Sequence, residues 1–240
     1  MDTSQLIAQV EIDGAALIDT CRRAAPDLPI EACGGWTALD LMWHVAEAHG
    51  FFASIIERRA TTPDWPDRPD RPAEAVAVAE IARRELERLV TTMRAAPLDA
   101  EVWCFGLRPV AVVARRMAHE TSVHRYDATS AVGEGWEPTA EMASDGIDEF
   151  LALFGRRPRR DAEVVGGSVH LHCTDVDGEW MVRPGADGHE VTREHAKGDC
   201  ALRGRSADLL LTLWRRRPLS SIEVLGDAAV AARFIAAPRL

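Results

Sequence analysis

The feature that most limits how this chain can fold is a change of period. Up to about residue 155 the apolar residues recur at helical spacing, whereas beyond the basic stretch "RRPRRD" they alternate with polar ones as strands do. The chain is therefore expected to be α+β, with a helical bundle over residues 1–157, a hinge, and a smaller α/β unit over 158–240 of ordinary small-domain size. The helical part reads as helices over 3–25, 41–59, 73–96, 108–131 and 139–155. Thr37 is placed to cap the second, with Asp40 three residues on. Residues 61–72, with four prolines, read as an extended exposed loop. In the second part Val169, Leu171 and Cys173 share one strand face, and Asp177-Gly178 reads as a hairpin turn before a strand over Glu179 to Val182. "ADLLLTLWRR", "SIEVLGD" and "AAVAARFIA" then read helix, strand, helix.

Composition removes several classes of function. A net charge of −10 opposes nucleic acid and anionic membrane as partners. There is no run of about eighteen apolar residues and no export signal at the start, so a soluble cytoplasmic protein acting on a small molecule, as monomer or homodimer, is expected. The 5 cysteines form no Cys-x-x-Cys pair and read as small buried residues, so a metal would have to be held by histidine and carboxylate.

The stretch "ARRMAHETSVHRYDA", residues 114–128, supplies both. On a helix Glu120 and His124 lie only about 40° apart and flank the apolar side, whereas His119 and His124 are about 140° apart. The His-Glu-x-x-His arrangement of zinc proteases is thereby excluded, and His119 reads as a surface residue or a partner behind a ligand. An inward carboxylate and imidazole suit a shared cation, an internal His–Glu hydrogen bond, or a Glu120–Arg116 pair at the surface. The second helix offers His44 and His49 at opposite edges of its apolar stripe, and periodicity does not choose between them. Arg125 is placed to orient a carboxylate, to pair with Asp127, or to form a structural ion pair at the helix end. His170 and His172 share a strand face with no carboxylate or third histidine beside them in sequence, and read as a polar face. The arginine clusters 156–160 and 215–217 read as solvated surface, with reception of an anionic substrate between the two domains as the alternative for one of them.

"GWTALDLMWHVAEAHGFF" followed by "VARRMAHETSVHRYDA" resembles the mycothiol-dependent maleylpyruvate isomerase family, whose metal-binding domain is a DinB-like four-helix bundle. "GSVHLHCTD", "GEWMV" and "ADLLLTLWRRRPLSSIEVLGD" resemble its smaller C-terminal domain, which is similar to a sterol-carrier fold. The resemblance implies His44, Glu120 and His124 as ligands of a divalent metal, selecting His44 over His49. Two imidazoles and a carboxylate suit zinc with an open position. It further implies mycothiol as a thiol cosubstrate and an isomerase or S-transferase acting on a small electrophile such as maleylpyruvate, with Arg125 and Asp127 as candidate catalytic groups. The competing expectation is a non-catalytic carrier of a small apolar ligand, its metal structural.

Overall fold

The computed structural model describes residues 1–66, 68–154, 165–185 and 188–236. They form two compact units, Met1–Trp136 and Glu137–Leu240.

The first unit is a bundle of α1 (Thr3–Arg23), α2 (Ala38–Glu57), α3 (Ala75–Ala95) and α4 (Val110–Ala131). Two capping boxes start its first pair of helices. Asp2 accepts from the Gln5 amide while the Gln5 side chain accepts from the Asp2 amide, and Thr37 and Asp40 do the same for α2. The connection from α1 to α2 carries a small hairpin of β1 (Pro29–Ile30) and β2 (Trp36–Thr37), and that from α3 to α4 a second, β3 (Glu101–Trp103) and β4 (Leu107–Pro109). Helix α1 lies against α3 and α4, and α2 against the same two helices. Val10, Leu17, Ile18, Leu41, Ile55, Leu89, Met93 and Val113 fill the space between them. Gly14 lets α1 and α3 meet closely, since a Cβ there would stand 2.7 Å from a Leu86 methyl carbon.

The second unit holds α5 (Ala140–Phe154), β5 (Val169–Cys173), β6 (Glu179–Gly185), β7 (Gly188–Thr192), β8 (Cys200–Gly204), α6 (Ser206–Leu213), β9 (Glu223–Gly226) and α7 (Ala228–Ala236). The sheet order is β7-β6-β5-β8-β9, with β5 and β8 parallel and the remaining neighbours antiparallel. Trp180, opposite Leu171 in register, is fully buried and donates its indole N–H to Asp148 of α5 at 2.7 Å. That bond and the packing of α5 on α6 assign α5 to the second unit. The division thus falls about twenty residues before the boundary expected from the sequence, because a helix-period signal says nothing about which core its apolar face joins. The expected hinge and the arginine cluster 156–160 lie outside the described residues. Among the described residues no helix is long and apolar enough to cross a membrane.

Candidate metal centre

Helices α2 and α4 place three donors together. His44 Nε2 stands 3.1 Å from Glu120 Oε1, and His124 Nε2 stands 3.2 Å from the same oxygen. The three ligand atoms lie within 4.8 Å of one another. Glu120 and His124 reach this point because residues four apart on a helix share a face; His44 arrives from the neighbouring helix. Arg116, one turn before Glu120 and almost fully buried, pairs with its other oxygen. Burial works against the charge on Glu120, but Arg116, His124 and His44 together hold its carboxyl well below the usual range.

Behind the cluster, His124 Nδ1 donates to Asp127 Oδ2 at 3.0 Å, and the Cys33 thiol donates to the same oxygen at 3.3 Å. Burial opposes an imidazolium at His124, but Asp127, Cys33 and Glu120 outweigh it and raise its pKa well above the ordinary value. A carboxylate on the far nitrogen of a histidine fixes the ring and leaves Nε2 directed at the other donors, which is how histidine ligands to metals are held. The donor set and this support fit a divalent ion such as zinc, with three protein ligands and one position left over.

Beside the cluster lies a cavity of about 300 Å³, lined by His44, Glu47, Phe51, Trp65, Arg68, Phe105, Arg116 and Glu120 among others. Phe51, Phe52, Trp65 and Phe105 make its aromatic side, where the Phe51 ring meets those of Phe52 and Trp65 at 5.1 and 5.8 Å. Arg68 reaches Glu47 at 2.6 Å on the rim. Trp65 and Arg68 come from the proline-rich segment read as an exposed loop. It does expose most of its residues, but it also closes one side of the cavity, and tryptophan among prolines was the signal available for this.

The other candidates separate clearly. His49 is buried and its Nε2 meets Thr121 Oγ1 at 2.9 Å, and burial lowers its pKa to about 4. His119 is not at the surface: it is 2% exposed, since α4 is covered on more than one side. Arg125 does not pair with Asp127. Its guanidinium bonds Asp13 of α1 at 2.8 Å and lies over the Trp136 ring at 4.2 Å, a bridge between helices on the far side of α4. The Glu120–Arg116 pair exists, but within the cluster rather than on the surface. Arg215 caps the end of α7 through the carbonyls of Ile235 and Ala236, and Arg217 pairs with Glu137 and Asp208, so this cluster is structural rather than merely solvated.

Residues 7–129 match the family described as mycothiol maleylpyruvate isomerase N-terminal domain, and residues 141–233 match the one described as MDMPI C-terminal domain. Two solved structures have the same fold. A mycothiol-dependent maleylpyruvate isomerase is 14% identical with a TM-score of 0.62, and a mutant form of it is 13% identical with a TM-score of 0.63. In each case 93% of this chain and 93% of the other are covered. No curated protein sequence matches the chain.

Proposed function

Because the chain belongs to the mycothiol maleylpyruvate isomerase family, we propose that it is a zinc-dependent enzyme that uses mycothiol to isomerise, or to add sulfur to, a small electrophile such as maleylpyruvate. His44, Glu120 and His124 would hold the ion. When bound, the ion supplies the means to keep a thiol deprotonated near neutral pH.

The protein's own residues do the rest. Asp127 fixes the His124 ring, and Arg116 holds Glu120 ionised and in place. The aromatic wall of Phe51, Trp65 and Phe105 would lie against the substrate's carbon chain, and Arg68, exposed on the rim beside Glu47, is the cation placed to receive a substrate carboxylate. Isomerisation requires the thiol sulfur to bond one carbon of a cis double bond, rotation about the resulting single bond, and expulsion of the same thiol to leave the trans product. S-transfer stops at the adduct after a proton reaches the neighbouring carbon.

The observation that carries this reading is the convergence of three donors on the edge of an aromatic cavity, with a carboxylate behind one of them. Purified protein should convert maleylpyruvate only with mycothiol present, lose the activity on chelation and regain it with zinc. Metal binding without thiol-dependent turnover of maleylpyruvate or simple electrophiles would favour the carrier instead.

A further inference from the structure

The second unit brings together four groups that are scattered in sequence. His170 and His172 project from the same face of β5, and Glu179 stands directly opposite His172 in the antiparallel register with β6. His195 comes from the segment between β7 and β8. The Glu179 carboxylate is their meeting point: His172 Nδ1 lies at 2.6 Å, His195 Nδ1 at 3.0 Å from both oxygens, and His170 Nε2 at 3.9 Å. One donor atom from each of the four falls within 4.8 Å of the others. The rings of His170 and His195 meet edge to face at 5.2 Å.

His170 is the telling member. It is 6% exposed, and its buried Nε2 has no hydrogen-bond partner although it faces the carboxylate. Leaving a buried polar atom unsatisfied is costly, and here the orphaned nitrogen is turned toward three other donors, where an ion would complete it.

We infer that His170, His172, Glu179 and His195 form a second metal site, which takes a divalent transition ion of the zinc type. Three imidazole nitrogens and a carboxylate oxygen are donors that zinc prefers over magnesium or calcium. A tetrahedral shell with bonds of about 2.0–2.1 Å sets neighbouring ligand atoms about 3.3 Å apart, within the spread observed among these four. Four protein donors fill the shell, so the role is structural: the ion ties β5, β6 and the His195 segment together. Because its ligands are shared by none of the groups in the helical unit, this site does not depend on the proposed reaction.

Tag-free full-length protein, stripped by chelation and titrated with zinc, tests the inference. Two ions per chain are expected, and one in a His44→Ala, Glu120→Ala double variant. In that background His195→Ala should weaken the remaining site at least tenfold without unfolding the protein, because that side chain is 78% exposed; Glu179→Gln should do the same. Cobalt should give the intense visible absorption of a tetrahedral ion, which His195→Ala removes. If the double variant fails to fold, the same loss of one ion is read from His195→Ala in the parent chain. The inference is overturned if a folded double variant binds no zinc, or if His195→Ala and Glu179→Gln both leave stoichiometry and affinity unchanged. Failure of the thiol reaction would leave these readouts intact.

Discussion

The two histidine–carboxylate clusters solve the same problem with different backbones. In the helical unit, spacing of four residues puts Glu120 and His124 on one face of α4, and a second helix must contribute His44. In the sheet unit, spacing of two puts His170 and His172 on one face of β5, and the register supplies Glu179. The helical cluster has three donors, a carboxylate behind His124 and a cavity beside it. The sheet cluster has four donors, with the histidines turned directly on the carboxylate. Three supported donors suit chemistry at an open position; four suit a closed clamp. Each cluster can therefore be broken without the other.

The largest expected effect is at Glu120, the group shared by Arg116, His44 and His124. Glu120→Ala should abolish thiol-dependent turnover and weaken zinc binding at the helical site roughly a hundredfold or more, about a quarter of the binding free energy of a four-ligand zinc site. Equilibrium dialysis at the helical site checks this, and full affinity in the variant would end the assignment. Next comes Arg125→Ala. Asp13 is fully buried, and burial raises its carboxyl against the pull of Arg125 and Gln9, so removing the guanidinium should cost about 3–5 kcal/mol in urea unfolding. Zinc content should not change; a fall in zinc affinity in the folded variant would move Arg125 into the site.

His49 tests whether every buried histidine of the bundle is a ligand. Its pKa is lowered by burial from 6.5 to about 4, so in the unfolded chain it takes a proton at a higher pH than in the fold. Its contribution to stability is therefore whole above about 6.5 and lost as pH falls toward 4. The loss should come to about 3 kcal/mol in the metal-free protein, because each pH unit between the unfolded and folded values is worth about 1.4 kcal/mol. Denaturant titrations across that window should show the loss, and His49→Gln should flatten it while zinc binding survives. Asp127→Asn is expected to act more gently. It keeps the shape but weakens the acceptor at His124 Nδ1, so zinc affinity should fall about ten- to a hundredfold. An unchanged affinity would make Asp127 a packing group and reduce the contrast between the two clusters.

Much of this was legible in the sequence, for physical reasons. The helices of the bundle follow from period and from caps such as Thr37, and the pairing of Glu120 with His124 follows from helix geometry alone. His44 was not separable from His49 by period, because both lie at the edge of one stripe and only packing sends one to Glu120 and the other to Thr121. The sheet cluster was missed because its members meet through strand register and a loop return: Glu179 lies seven residues from His172, and His195 sixteen from Glu179. Strands β7 and β8 were missed with it. Of the readings open for Arg125 the structural ion pair is the one found, but its partner, Asp13 of α1, was not legible because a helical wheel gives a direction and not a neighbour.

The smallest expected effect decides whose sulfur reacts. Burial pushes the thiols of Cys21 and Cys173 up to about 12 and that of Cys200 to about 11, so these three are inert near neutral pH. Cys104 is buried as well, which leaves Cys33, only partly buried and joined to the helical cluster through Asp127. Its thiol donates to a carboxylate that already holds His124, so its position suits support of that histidine rather than attack on a substrate. Cys33→Ser keeps a hydroxyl donor of similar size in the same place, and should change zinc affinity and stability by no more than about 0.5 kcal/mol. Turnover with added thiol should stay within about twofold, since the reacting sulfur comes from the cosubstrate. If turnover instead vanishes while zinc content and folding are unchanged, the nucleophile is the protein's own. The helical cluster would then be a metal-assisted cysteine site, and the borrowed-thiol mechanism would have to be given up.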